Sequence, residues 1–239
     1  SQAYSKGWDH VKLYFMIGLP TERDDDVEAI ADLTLRTLAT GRGFNRKARV
    51  NTGVSTFVPK PFTPFQWSEQ MSIEETKRRQ GILLKRFNAA GGGVKFGRHD
   101  PAETWLEGLV SRSDRRAGDL LEAAFKLGCR FDAWNEHRDM DKWNEAIAAT
   151  NFDVDHALRA RDLDERLPWD HIDILIPKSW FQADWQRAVQ LKHAEDCRHH
   201  KCLRCGVIDE ERPLCAHMLR NSVEGRKSEA SWTRPPPPP

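Results

Sequence analysis

The chain has no apolar run long enough to cross a bilayer and no leader of basic and then apolar residues. Its longest apolar run, Leu13 to Leu19, is far shorter than the roughly 20 residues that a membrane-spanning helix needs. The first ten residues do not show the organisation of a signal peptide. We therefore expect a soluble cytoplasmic protein with no membrane partner.

An excess of charge of either sign is also missing. Lysine and arginine number 37 against 36 aspartate and glutamate, a net charge of +1, so no global field attracts nucleic acid or an acidic membrane surface. The nine tryptophans are scattered along the chain and are not interleaved with basic residues, as a base-stacking surface would require. Nucleic acid is therefore not indicated as a partner.

Cysteine is scarce, and its placement excludes the disulfide framework of a small secreted protein. Four of the five cysteines lie near one end: Cys197, Cys202, Cys205 and Cys215. The spacing Cys-x4-Cys-x2-Cys would let three thiolates converge on one ion, with Cys215 or a nearby histidine as fourth ligand. Zinc or an iron–sulfur cluster would suit such ligands. Free thiols in a loose tail are the alternative.

The N-terminal part reads as strand, helix and strand. Val11–Gly18 contains most of the longest apolar run and leads into Gly-Leu-Pro, which is typical of a buried parallel strand followed by a sharp turn. A helix follows from Asp24, and Gly41 and Gly43 are predicted to end it. A second strand runs roughly over Arg49–Val58. This order predicts a parallel sheet with a right-handed crossover.

Beyond the second strand, local signals predict an α-rich region. Ser72 and Glu75 form a capping box for a helix that reaches about Ala90. Asp100 followed by Pro101 begins another helix. The remaining predicted features are a short strand at Val94–Phe96, a helix capped by Asp114 and closed by Gly128, and a helix opened by Ser179 and Gln182 that buries Trp180, Trp185 and Val189.

Two strands cannot make a stable parallel sheet alone, so we expect the chain to begin inside a larger sheet. From Asn221 onward the sequence is polar and ends in five prolines, which predicts disorder with polyproline II character. The predicted segments are residues 1–68 with the sheet, 69–195 with the α-rich extension, 196–217 with the cysteines, and 218–239 as the proline-rich tail.

Several sequence blocks resemble a known family. Val11–Glu22 resembles the fifth strand of a radical S-adenosylmethionine (radical SAM) barrel, with the pattern Gly-x-Pro-x-Glu at its end. Val54–Trp67 is similar to the sixth strand and exit loop of the radical SAM proteins that carry an N-terminal cobalamin-binding domain. The other similar blocks are His99–Pro101, Leu106–Gly108, Ser111–Arg116, Gly128–Trp134, Leu167–Asp170 and Asp196–Arg198. The resemblance implies the last two β/α units of a (β/α)6 barrel, followed by an α-rich extension.

The sequence also departs from that family. Ser113 stands where glycine is usual, and a left-handed backbone at this position would be strained by serine. Ile208 stands where the family usually has a cysteine. The largest departure is that Cys-x3-Cys-x2-Cys, the motif that holds the catalytic cluster, does not occur in the 239 residues.

The resemblance implies cofactors whose ligands are not in this chain. The intact enzyme would hold a 4Fe–4S cluster and S-adenosylmethionine (SAM), with cobalamin in its partner domain and the missing N-terminal half of the barrel as the partner of this chain. Ligands of such folds lie at the carboxyl ends of the strands. The residues predicted to bind a cofactor are Gly18, Leu19, Pro20, Val58, Pro59 and Lys60. The alternative is that they only shape turns.

Four further groups of residues have both a functional and a structural interpretation. Glu22 could bind a cofactor or cap the next helix, and we favour the cap. His99 with Asp100 could act as acid and base, although Asp100 as a helix cap explains half of this motif. Cys129 is expected to be a small buried apolar residue. The charged group Arg112, Asp114, Arg115 and Arg116 could bind phosphate but is expected to be solvated and paired within itself.

The sequence thus predicts a fragment of a radical SAM iron–sulfur enzyme, with reaction and substrate undefined. Without the cluster motif we expect the chain to be inactive alone. The alternative from a different class is a metal-stabilised accessory module that binds a protein or RNA partner.

Overall fold

A computed structural model describes residues 1–197 together with 203 and 205. Three strands form one parallel sheet in the order β1-β2-β3: β1 (His10–Ile17), β2 (Arg49–Thr56) and β3 (Val94–Arg98). The two longer strands were predicted as neighbours. The third was predicted only as an isolated short strand, and its pairing with β2 extends the sheet beyond the two β/α units expected.

Eight helices lie in the described part of the chain. They are α1 (Gln2–Ser5), α2 (Asp24–Phe44), α3 (Ile73–Ala89), α4 (Pro101–Arg112), α5 (Ala117–Lys126), α6 (Met140–Thr150), α7 (Val154–Leu158) and α8 (Lys178–Val189). The chain is therefore an α/β protein in which a small parallel sheet precedes an α-rich region. Among the described residues, no helix combines the length and the apolar character that a membrane span requires.

Helices α2 and α3 cover one face of the sheet. The core between these elements consists of Ile17 and Val54 from the strands, Val27, Ile30 and Ala31 from α2, and Leu83 and Phe87 from α3. Both crossovers advance the sheet in the same direction, from β1 to β2 and from β2 to β3. Because such crossovers are right-handed, this direction places both connecting helices on one side.

The capping signals located two helices correctly. The Ser72 side chain accepts a hydrogen bond from the backbone N–H of Glu75 at the start of α3. Asp100 accepts from the N–H groups of Ala102 and Glu103 at the start of α4. These bonds satisfy donors that the first turn of a helix leaves without a partner, so short sequence patterns are enough to predict them.

Three other predicted helix ends were wrong. Helix α2 continues through Gly41 and Gly43 to Phe44. Helix α5 begins after Arg116, although the Asp114 carboxylate does accept the Arg116 N–H at 2.9 Å. Helix α8 begins at Lys178 after Pro177, with no side-chain cap, and its buried residue is Phe181 instead of the tryptophans.

Gly41 has a packing role that explains its place inside a helix. A Cβ atom at this position would lie 2.5 Å from Cζ of Tyr4 and 2.9 Å from Cβ of Ala48. The buried Tyr4 ring occupies this space, so α1 packs directly on the backbone of α2. At Gly43 an added Cβ atom would meet nothing within 4 Å.

The α-rich region has its own core. Trp143 and Ala146 of α6 pack with Leu120 and Ala124 of α5 and with Leu109 of α4. Cys129 lies in the same cluster as a buried thiol, as expected, and burial raises its pKa. Asp139 and Asp153 cap α6 and α7, two helices that the sequence analysis did not assign.

The chain divides into two compact units. One unit comprises residues 1–61 and 65–168, and the other comprises 62–64 and 169–239. In the described part of the second unit, Asp170 pairs with Lys178 at 2.6 Å, and the indole N–H of Trp180 donates to the carbonyl of Leu203 at 3.2 Å.

The two glycines of α2 give a matched test of close packing. We expect Gly41→Ala to lower the free energy of unfolding, because the added methyl group would overlap the Tyr4 ring. Gly43→Ala is expected to raise it by up to about 1 kcal/mol through helix propensity alone. Urea unfolding followed by tryptophan fluorescence measures both variants, and a stabilising Gly41→Ala would contradict the packing described here.

Candidate functional site

The sheet face opposite α2 and α3 carries a cavity of about 400 Å³. Residues at the same register on neighbouring strands form rows across this face. The first row is Lys12, Asn51 and Lys95, and the second is Tyr14, Gly53 and Gly97. The two glycines leave the middle of the face without side chains. The row of Lys12, Asn51 and Lys95 therefore borders open space above the backbone of β2 and β3.

This face was not predicted from the sequence. Val11–Gly18 was interpreted as a strand buried on both faces, but Tyr14 is 73% exposed and Lys12 and Met16 point to the same side. The ammonium group of Lys12 lies 4.7 Å from the centroid of the Tyr14 ring, a cation–π contact. The alternation of Lys12, Tyr14 and Met16 with apolar residues was the signal that could have revealed it.

The turn after β1 is held by a buried carboxylate. Gly18 has a left-handed backbone with a φ of 89°, and its N–H donates to Oε2 of Glu22 at 2.6 Å. The same oxygen pairs with the Arg79 guanidinium of α3, and the side chains of Glu22 and Arg79 are 7% and 15% exposed. Glu22 thus ties the end of β1 to α3.

The arginines of α3 extend this bond into a network. Arg79 also pairs with Glu75 at 2.7 Å, and Arg78 pairs with Glu75 and with Asp24 at the start of α2. Hydrogen bonds from Arg78 and then from Arg79 lower the pKa of Glu75 to about 2. The first turns of α2 and α3 are therefore linked through charged side chains beside the end of β1.

Glu22 does not cap α2, contrary to our expectation. The N-cap of α2 is Arg23, whose backbone N–H donates a hydrogen bond to the Asp26 carboxylate at 2.9 Å. Glu22 lies just before this cap and turns back towards Gly18. The spacing in Gly-x-Pro-x-Glu thus places the carboxylate within reach of the glycine N–H.

The residues predicted to bind a cofactor lie at the ends of two neighbouring strands. Gly18, Leu19 and Pro20 follow β1, and Val58, Pro59 and Lys60 follow β2. The two segments are adjacent, because the Phe57 N–H donates to the Ile17 carbonyl at 2.8 Å.

Parts of these two segments are already bound within the protein. The Gly18 N–H is held by Glu22, Pro59 is buried, and Lys60 forms an ion pair with Glu107 of α4. The bond to Glu22 shapes the turn at Gly18, and a cofactor contact by any of these residues stays a prediction.

His99 and Asp100 have different roles in the structure. His99 lines the open-face cavity at the end of β3. Asp100 caps α4 and pairs at 2.9 Å with Arg138, whose side chain is buried. The cap therefore accounts for Asp100, as the sequence analysis favoured.

Arg112 is buried instead of solvated, which corrects the expectation for this charged group. Its guanidinium donates to the carbonyls of Ala157, Gln66 and Arg159 at 3.2, 3.4 and 2.8 Å. Burial, with the nearby charges of Arg161 and Arg159, lowers its pKa to about 10. Arg112 thus holds the carboxyl end of α7 against α4.

Two other members of this group pair with each other as predicted, and Arg115 is exposed. Arg116 pairs with Asp114 at 2.9 Å on the surface. Ser113 has a φ of −82°, so its backbone is an ordinary extended one and serine in place of glycine causes no strain.

The cysteine site stays a prediction. Cys197 and Cys205 are half-buried, whereas Cys202 and Cys215 lie outside the described residues. Within the part of the chain that is described, no group of three or more histidine, cysteine or acidic side chains could hold a metal ion.

One sequence comparison finds a relative. An uncharacterised protein of Methanocaldococcus jannaschii is 34% identical to the chain over 137 residues, which are 57% of this chain and 29% of that protein. The chain therefore spans less than a third of the length of the curated relative it matches. No family model matches the chain, and no solved structure matches it.

The contribution of Glu22 to stability can be compared with that of an exposed ion pair. We expect Glu22→Gln to lower the free energy of unfolding by about 2 kcal/mol, because it removes one of the two carboxylates that pair with the largely buried Arg79 guanidinium and weakens the bond to the Gly18 N–H. Glu28→Gln removes an exposed contact to Arg86 at 3.4 Å and should cost less than about 1 kcal/mol. Urea unfolding at neutral pH measures both variants. Equal losses would contradict a structural role for Glu22.

The metal prediction has a direct measurement. We expect the chain, purified without oxygen, to retain about one zinc ion or one iron–sulfur cluster per molecule, and Cys202→Ser to remove most of it. Cys129→Ser is the matched control, because Cys129 lies in an apolar cluster and should leave the metal content unchanged. A metal-free wild-type chain would contradict the prediction.

Proposed function

We propose that this chain is the later part of a radical SAM barrel and that the open sheet face forms part of the inner wall of that barrel. The observation that carries this proposal is the sheet order. Three parallel strands follow one another in sequence, with both crossover helices on one face. A doubly wound sheet reverses its strand order and places helices on both faces, whereas a barrel does neither.

The distribution of polar residues agrees with this proposal. The helix-covered face is apolar, while the opposite face presents Lys12, Asn51, Lys95 and Tyr14 around a cavity. In a β/α barrel the helices lie outside, so the opposite face points inward. A protein that binds ligands within its barrel needs polar groups at such positions.

The turn after β1 gives further support. The radical SAM resemblance includes Gly18-Leu-Pro-Thr-Glu22, and in this chain the last residue of the pattern bonds the first. The bond fixes the carboxyl end of β1 and packs it against α3 through Arg79. Ligands of parallel α/β folds are bound at this end of the strands.

This chain does not supply the three cysteines that the implied 4Fe–4S cluster needs. The sequence has no Cys-x3-Cys-x2-Cys, and its one cysteine outside the C-terminal group, Cys129, is buried among apolar side chains. We therefore place the cluster ligands and any cobalamin domain in another part of a longer natural protein. The cluster, when bound there, would supply the electron that cleaves SAM.

The intact natural protein tests this proposal. After reconstitution with iron and sulfide and reduction by dithionite, we expect it to show a 4Fe–4S spectrum and to cleave SAM to methionine and 5′-deoxyadenosine. The 239-residue chain under the same treatment should produce no 5′-deoxyadenosine. Glu22→Gln in the intact protein should lower the rate.

The matched control is Glu28→Gln, which should leave the rate unchanged because Glu28 lies on the exposed side of α2. An intact gene without Cys-x3-Cys-x2-Cys, or an intact protein that carries the cluster and does not cleave SAM, would overturn the proposal.

A further inference from the structure

The cavity on the open sheet face is basic, although the chain as a whole is nearly neutral. Its lining includes Lys12 and Lys95 on the open face and His99 at the end of β3, and no aspartate or glutamate occurs among the described residues that line it. Arg98 also borders it, but its side chain lies over the Phe96 ring towards the helix-covered face. The whole chain carries 37 basic and 36 acidic residues. The overall composition therefore does not account for a cavity whose charged lining residues are all basic.

The two lysines are placed to act on one ligand. Lys12 lies opposite Asn51, and Asn51 lies opposite Lys95, so the three residues form one row over three adjacent strands. Neighbouring strands are about 4.8 Å apart, which puts the Cα atoms of the two lysines roughly 10 Å apart. Long side chains from these positions can reach a group held between them above the Asn51 amide.

Neither lysine is neutralised in the described part of the chain. No carboxylate there forms an ion pair with Lys12 or with Lys95, whereas Lys60, Lys126, Lys142 and Lys178 each have one. The Lys12 ammonium instead lies over the Tyr14 ring. Both cations are thus available to an anion from outside this chain segment.

The floor of the cavity provides room for such a ligand. A Cβ atom at Gly97 would meet nothing closer than the Thr52 carbonyl at 4.0 Å, and one at Gly53 would touch only the Tyr14 ring edge and backbone at 3.5 Å or more. The space above these glycines is therefore open, and neither is required by close packing within the sheet.

We propose that this face binds a small-molecule oxyanion, a phosphate or a carboxylate, between Lys12 and Lys95. The two ammonium groups and the Asn51 amide donate hydrogen bonds to its oxygens, and the Tyr14 ring lies beside the remainder of the molecule. Charge-assisted hydrogen bonds of this kind are about twice as strong as neutral ones. This site goes beyond the radical SAM proposal, because it needs neither the cluster nor SAM.

Titration of the 239-residue chain with pyrophosphate, and in a second arm with citrate, tests the proposal at low ionic strength. We expect saturable binding of at least one of them, with the largest amide shifts in ¹H–¹⁵N spectra at Gly53 and Gly97. Lys12→Gln and Lys95→Gln should each weaken binding by about tenfold. If both variants weaken the binding of pyrophosphate, the oxyanion is a phosphate. If both weaken the binding of citrate, it is a carboxylate.

Two matched variants keep the test decisive. Lys85→Gln removes the same charge from the exposed side of α3 and should change the dissociation constant by less than about twofold. Gly97→Val fills the cavity with a residue that strands favour, so binding should be lost while amide signals distant from β3 are retained.

Three outcomes would overturn the proposal. The first is that a chain with native amide signals shows no saturable binding in either arm. The second is that Lys85→Gln weakens binding as much as Lys12→Gln and Lys95→Gln do. The third is that the same lysines bind single-stranded RNA while the chain does not respond to pyrophosphate or citrate. Because cluster and SAM are absent from these titrations, the result is independent of SAM cleavage by the intact protein.

Discussion

The handedness of the strand crossovers is the constraint on which the rest of the first unit depends. Right-handed connections that advance in one direction must place α2 and α3 on the same face of the sheet. That face becomes the apolar core, with Ile17 and Val54 beneath the two helices. The opposite face receives no helix from these crossovers. Its polar rows and its cavity follow from the topology.

A buried charge pair fixes where this sheet ends. Glu22 accepts the Gly18 N–H and pairs with Arg79, and Arg78 and Glu75 extend the contact to the start of α2. The strand end, its turn and two helix starts are thus held by one network. The geometry of these strand ends is fixed by bonds within the chain, before any ligand binds. The basic row of Lys12 and Lys95 lies on the same sheet, nearer the opposite end of the strands.

The elements that could be predicted are those whose signals are local. Ser72 and Asp100 begin helices because each satisfies backbone donors two or three residues ahead. The order strand, helix and strand predicted the parallel pairing of β1 and β2 correctly. The end of α2 was misjudged because Gly41 is required by the Tyr4 ring, a contact between residues 37 positions apart. Arg112 was expected in solvent because nothing near it in sequence indicates the carbonyls of α7 that surround it.

The sequence by itself determined the α/β class, the β/α order and the starts of α2, α3 and α4, since these depend on hydrophobic periodicity and capping within a few residues. Tertiary structure alone decided the pairing of Glu22 with Arg79 and the candidate site. Lys12, Asn51 and Lys95 are separated by about 40 residues each, and only the parallel register of three strands brings them into one row. Register is set by packing of the opposite face, where a shift by one residue would expose the core. For that reason the row of Lys12, Asn51 and Lys95 could not be predicted from the sequence.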